Sequence, residues 1–152
     1  MYMLDMRFHI PWLAAKLLLC GRDGRVNINK VEAYYDRELL EELRDFPGLK
    51  WKLWSISENG LHGSGFYLFG DEASARVRER YAKKFYWRKG LLFCRCHISE
   101  VVEGCSRFTR APIDVPANPA VTEEQERRLM HFKAEAPIKK LKAKYQILKG
   151  VK

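Results

Sequence analysis

Residues 46–75 read FPGLKWKLWSISENGLHGSGFYLFGDEASA. Within them LKWKLWSI, residues 49–56, carries two tryptophans and a closing isoleucine, the composition of a strand. ENGLHGSG follows with an Asn59-Gly60 pair, a dipeptide that closes hairpins, and GFYLF at 65–69 is the returning strand. Asp71 stands where a helix N-cap belongs, its carboxylate suited to the free backbone N–H groups of a first turn. Ala73, Val77, Tyr81 and Phe85 then recur at helical spacing as the stripe expected to be buried. The stretch predicts strand, hairpin, strand and helix.

Upstream, MLDMRFHI alternates apolar Leu4, Met6, Phe8 and Ile10 with polar Asp5, Arg7 and His9, a period of two that marks a strand with one face on a core. After GRDGR at 21–25, Asn29 with Glu32 reads as a capping box. Val31, Tyr35, Leu39, Leu43 and Phe46 predict one helix that ends at Pro47-Gly48. Downstream, LLFCRCHISEV at 91–101 is a fourth strand. The order β-α-β-β-α-β makes the fold class α+β, ferredoxin-like.

A chain of 152 residues fits one domain, placed at 1–109, with a proline-rich linker and basic helical tail at 110–152. APIDVPANPAV, residues 111–121, holds three of the six prolines, and Thr122 with Gln125 is a capping box for a short helix. In the tail Ile138, Leu141, Tyr145 and Leu148 share one face, and lysines 139, 140, 142, 144 and 149 fill the rest. Such a segment suits an acidic protein surface, so residues 122–152 are the expected docking element.

The net charge of +9 admits nucleic acid, anionic lipid or acidic protein as partners. The third strand lacks the basic-glycine-aromatic signature of RNA-binding sheets, which argues against nucleic acid. The apolar run WLAAKLLLC at 12–20 is broken by Lys16 and is half the roughly 20 residues that span a bilayer. No membrane span is expected, and with no secretory signal the chain reads as intracellular and cytoplasmic, an organelle matrix being the alternative. Cys20, Cys94, Cys96 and Cys105 show no zinc spacing and are expected to be reduced thiols, so no metal site is expected.

Strict alternation assigns Leu4, Met6, Phe8, Ile10, Leu49, Trp51, Leu53, Phe66, Leu68, Leu92, Cys94, Cys96 and Ile98 to the helix-facing side of the sheet. The opposite side then collects Asp5, Arg7, His9, Lys52, Trp54, Ile56, Tyr67, Phe69, Phe93, Arg95, His97 and Ser99. Aromatic walls with a few cations suit a pocket lining. A bare four-stranded face also needs a cover, for which a second copy of the sheet is the usual solution, so a homodimer is expected.

Pro47-Gly48, the W-K-L-W of 51–54, the G-F-Y-L-F of 65–69, the D-E-A-S-A of 71–75 and the spacing of Trp54 to Tyr67 resemble the YdhR-like monooxygenase family of the dimeric α+β barrel superfamily. The resemblance runs over residues 3–103. It implies a ferredoxin-like protomer, a dimer joined through its sheets and a cavity under each sheet. Related barrel enzymes oxidise phenolic small molecules to quinones with O₂, so the resemblance implies a monooxygenase with no cofactor. It carries over no catalytic residue, and the site is built from chemistry instead. Oxygenation without a cofactor needs a base to make a phenolate or enolate and cations to hold it. His97 or His9 is the candidate base. Arg7, Lys52 and Arg95 are the candidate anion holders, and Trp54, Tyr67 and Phe69 the stacking walls. The competing reading is a non-catalytic accessory subunit that docks into a larger assembly through its basic tail.

Overall fold

A computed structural model describes residues 1–35, 37–88 and 92–131, with the side chains at 38, 39, 85–88 and 92–94 left out of that description. The tail stripe of Ile138, Leu141, Tyr145 and Leu148 lies outside the described residues, as do the side chains of Leu39, Phe85, Leu92, Phe93 and Cys94.

The chain begins with strand β1 (Tyr2–His9), helical turn α1 (Trp12–Ala14) continuing as a π-helical segment (Ala15–Leu19), and helices α2 (Ile28–Tyr34) and α3 (Arg37–Arg44). Strands β2 (Leu49–Ile56) and β3 (His62–Phe69), helix α4 (Glu72–Arg88) and strand β4 (Leu92–Glu100) follow, then helices α5 (Glu103–Phe108) and α6 (Glu123–His131). The four strands form one antiparallel sheet in the order β2-β3-β1-β4. Helix α4 lies against β4, β1 and β3, and α3 against β2. The ferredoxin-like order expected from the sequence is therefore the observed one.

Local signals explain most of the elements. Asn59 Oδ1 accepts from Leu61 N and from Ser57 Oγ, which shapes the β2–β3 turn. Asp71 caps α4 as expected: Ser74 N donates to Oδ1 at 2.8 Å and Ser74 Oγ to Oδ2 at 2.9 Å. Asp71→Ala should therefore lower the unfolding free energy by about 1–2 kcal/mol, read from urea denaturation. The first long helix departs from expectation. Its cap is Asn27, whose side chain accepts from Lys30 N at 3.2 Å, and Asn29 lies inside the helix. It then breaks at Tyr35, which is extended, and this frees the Tyr35 ring to pack on Trp54 with centroids 4.5 Å apart.

Pairing register corrects the faces of β2 and β3. Leu49 opposes Phe69 and Trp51 opposes Leu68, so Lys50 is one residue too many on its strand. A bulge of this kind inverts the alternation beyond it. Lys52, Trp54 and Ile56 consequently turn toward the helices, opposite Tyr67, Gly65 and Gly63. In β3 both alternating sets are apolar, so pattern alone leaves the face open, and the pairing of Tyr67 with Leu4 decides it. Tyr67 and Phe69 are inner residues, whereas Trp51, Leu53, Phe66 and Leu68 belong to the outer face. Leu4, Met6, Leu49, Cys96 and Ile98 pack on the core as expected. A second bulge falls at Cys94, since Phe8 opposes Phe93 and Arg7 opposes Arg95.

The main core joins Leu4, Met6, Leu49, Tyr67 and Phe69 of the sheet to Leu43 and Phe46 at the end of α3 and to Ala75, Val77 and Ala82 of α4. Phe8, Ile10, Ala15 and Leu19 form a second cluster. The buried face of α4 is Ser74, Ala75, Val77, Arg78, Tyr81 and Ala82, and Ala73 is exposed.

Residues 110–121 strap the protomer. Trp51 Nε1 donates to Pro112 O at 2.9 Å, and neighbouring Ile113 is buried. Asn118 N donates to Leu49 O, Gly48 N to Pro119 O, and Asn118 Nδ2 to the carbonyls of Arg44 and Phe46 at the end of α3. Those bonds occupy backbone groups at the free edge of β2 and at a helix C-terminus that would otherwise rely on water. Thr122 and Gln125 then exchange their backbone N–H bonds as the capping box requires, and α6 returns to α4 through an Arg80–Glu126 ion pair.

Candidate active site

The Lys50 bulge brings Lys52 beneath the helices. Its Nζ lies 2.8 Å from the centroid of the Trp54 ring and 4.5 Å from that of Tyr67. The atom is buried and, among the described residues, has no hydrogen-bond partner. From α4, Arg78 reaches the same rings: its guanidinium carbon is 5.2 Å from the Tyr67 centroid, 5.3 Å from Phe46 and 5.4 Å from Tyr81. Arg78 Nη2 donates to Tyr67 Oη at 3.3 Å. Tyr35 covers Trp54 from the α2–α3 break, and Tyr81 Oη donates to Glu42 Oε1 at 2.8 Å.

Gly65 makes room for this arrangement. A Cβ there would sit 2.9 Å from Tyr67 Cε2 and 3.3 Å from Lys52 Cε, so a larger residue would displace the ring or the lysine.

Burial, and secondarily the Arg78 charge, lowers the Lys52 amine to about 5. At neutral pH it is therefore an uncharged base. Cation–π attraction to Trp54 favours the ammonium by about 2 kcal/mol, less than burial takes away. Burial raises the phenol of Tyr35, with smaller contributions from Tyr34 and Tyr67, and likewise raises that of Tyr81, helped by Glu42. Both phenols stay protonated. The result is an aromatic enclosure with a fixed guanidinium, a neutral amine and hydroxyl donors. Such an enclosure suits a flat ligand that carries, or acquires, negative charge.

The sheet divides the eight candidates named from sequence. Lys52, Trp54, Tyr67 and Phe69 are together on the inner face, where Tyr67 and Phe69 stack with centroids 6.2 Å apart. Arg7, His9, Arg95 and His97 share the outer face. There Arg7 is paired with Asp5 at 3.0 Å, the His9 ring is 5.1 Å from that of His62, and Arg95 and His97 are exposed. Arg78 and Glu42 escaped the sequence reading, and Tyr35 and Tyr81 were read only as buried helix residues, not as part of a site. For Arg78 a signal existed: it lies four residues after Ser74 and four before Ala82, in line with small side chains that mark a tightly packed helix face.

Among the described residues no three His, Cys, Asp or Glu side chains gather as a metal site. Cys20, Cys96 and Cys105 are free thiols. Burial, reinforced by Glu79, pushes the Cys96 thiol up to about 12, so it is not poised as a nucleophile. No described helix is long and apolar enough to cross a membrane.

No curated protein matches this chain. The family described as "Putative mono-oxygenase ydhR" matches residues 25–112, a span that begins and ends later than the resemblance at 3–103 and takes in Lys52, Trp54, Tyr67 and Arg78. With more than half of its 152 residues matched, the chain belongs to that family.

Proposed function

We propose that this chain is a cofactor-independent monooxygenase acting on an aromatic or phenolic small molecule held between the sheet and its helices. The observation that carries the reading is the partnerless amine of Lys52 beside Arg78 in an aromatic enclosure. Membership of the family supports the reaction class.

In this reading the neutral Lys52 amine takes a proton from a phenol or enol, and the ammonium formed, with Arg78, holds the resulting anion. The anion also supplies the negative charge that the amine lacks, so binding raises the basicity of Lys52. The electron-rich carbon then reacts with O₂. A CH₂ group becomes C=O with one oxygen atom, and the other leaves as water with the two hydrogens. His9 and His97 lie across the sheet from the amine, so the role of base falls to Lys52. The outer face, with Leu53 54% exposed beside Phe66, is the surface through which two copies would pair.

Oxygen uptake with a polyphenol or anthrone-type substrate, in chelator and without added flavin, tests the reading. One O₂ is expected per quinone carbonyl formed. Trp54→Ala should lose about 10²-fold, the order expected when a ring is no longer held in register, while His9→Ala and His97→Ala keep their rates. Loss in the histidine variants with full activity in Trp54→Ala would move the site to the outer face.

A further inference from the structure

An amine that nothing hydrogen-bonds is a nucleophile as well as a base. We propose that Lys52 forms a reversible imine with an aromatic aldehyde or ketone bound in the inner enclosure, a covalent activity beyond oxygenation that rests on the same site assignment. Three features of the geometry carry it. Nζ is buried without a hydrogen-bond partner, so its lone pair is not occupied. It sits over Trp54 and beside Tyr67, so aromatic rings border the amine and orient a flat carbonyl compound that reaches it. A guanidinium, that of Arg78, shares the Tyr67 ring. Desolvation and a neighbouring cation are the two devices that keep an active-site lysine uncharged and nucleophilic, and both act here.

The enclosure also holds the proton donor that imine formation needs. Tyr67 Oη and Lys52 Cε each lie 3.3 Å from the point where a Gly65 Cβ would stand, so the phenol and the lysine chain border the same gap beside Gly65. Tyr67 Oη in turn accepts from Arg78 Nη2, which steadies the phenol as it gives up its proton. Nζ attacks the carbonyl carbon, the C–N bond forms, and an amine proton passes to the carbonyl oxygen to give a carbinolamine. The hydroxyl then departs as water with the Tyr67 proton, the second amine proton returns to Tyr67, and C=N remains. One carbonyl compound and one amine give one imine and one water, with no oxidant consumed. The protonated imine draws electrons from the adjacent carbon, so decarboxylation or deprotonation at that carbon is the reaction class it would serve.

The test is reductive trapping on the full chain at pH 6.5 under anaerobic conditions, with 4-hydroxybenzaldehyde and cyanoborohydride, followed by peptide mass mapping. Ordinary lysines stay protonated at that pH, with amine pKa values near ~10.4. Lys52 should acquire the adduct at least about tenfold faster than any other lysine, because its amine is neutral at that pH. Lys52→Arg should abolish that adduct and leave the slow background unchanged. Tyr67→Phe should slow trapping at Lys52 while leaving other lysines alone. Uniform labelling, or none at Lys52 in the folded wild-type chain, overturns the proposal. Trapping needs no O₂, so an adduct without oxygen uptake would sink only the oxygenase reading, and uptake without an adduct would sink only the imine.

Discussion

Lys52→Met is expected to reduce oxygenation by about 10³-fold while making the protein more stable at neutral pH. Removing a positioned base costs a factor of about 10² to 10⁴. Methionine keeps the reach of the lysine stem and removes an amine that is buried without a hydrogen-bond partner. Replacing that group should add on the order of 4–5 kcal/mol to the unfolding free energy at pH 7, because each pH unit below the unfolded value near 10.5 costs the wild type about 1.4 kcal/mol. The gain should depend on pH with a definite sign. Lys52 titrates near 10.5 when unfolded and near 5 when folded, so between those values the unfolded chain binds a proton that the folded chain does not. Wild-type stability therefore rises with pH across this window relative to the variant. The stability gap is greatest below about pH 5 and closes as pH approaches 10.5. Urea titrations of both proteins at pH 6 and pH 9 measure it, and a gap that does not narrow would mean that the folded amine is charged.

Gly48→Ala should be the most destabilising small change, with a loss of about 3–5 kcal/mol. Gly48 has φ +70°, a left-handed backbone that costs an L residue about 1–2 kcal/mol. An added Cβ would stand 2.8 Å from Asp71 Oδ2 and closer still to Ser74 Oγ, so overpacking adds about 1–3 kcal/mol. Those two atoms make the α4 cap, and Ser74 Oγ also accepts Val121 N from the strap. Against a typical total of about 5–15 kcal/mol, one methyl group would remove a large share. Urea denaturation gives the loss, and hydrogen exchange should report faster opening at Asn118 and Val121. A loss under about 1 kcal/mol would show that the cap moves aside freely.

The features legible in the sequence were those whose chemistry lies within a few residues. The Asn59 turn, the Asp71 cap and the exchange between Thr122 and Gln125 each involve partners no more than three residues apart. Strand order followed from the alternation of elements. The faces of β2 and β3 did not, because they depend on which residue meets which across the sheet. An aromatic or aliphatic side chain occurs at nearly every position of 65–69, so neither face announces itself as the core. Lys50 differs from its neighbours only in having no residue of its own across the ladder. The site was half legible for the same reason. Lys52, Trp54, Tyr67 and Phe69 were correctly grouped, since they share parity with one another. Arg7, His9, Arg95 and His97 were joined to them only through strict alternation, which the bulge breaks in β2 and the pairing of Tyr67 with Leu4 overrides in β3. Arg78 was hidden by its charge, which ordinarily marks the solvent side of a helix.

The bulge also determines which kinds of inherited change the site can absorb. Along β2 each residue's side of the sheet is set by its partner on β3, and Lys50 is the residue without one. Substitutions alter the enclosure one side chain at a time and leave the others where they were. Loss of a single codon at 50 would remove only the unpaired residue: Leu49 would still oppose Phe69, Trp51 Leu68 and Lys52 Tyr67, a regular alternation that keeps Lys52 and Trp54 inside and Trp51 and Leu53 out. The bulge is thus slack in the chain, a place where the segment from Phe46 to Trp54 can shorten by one residue and still hold the lysine on the inner face.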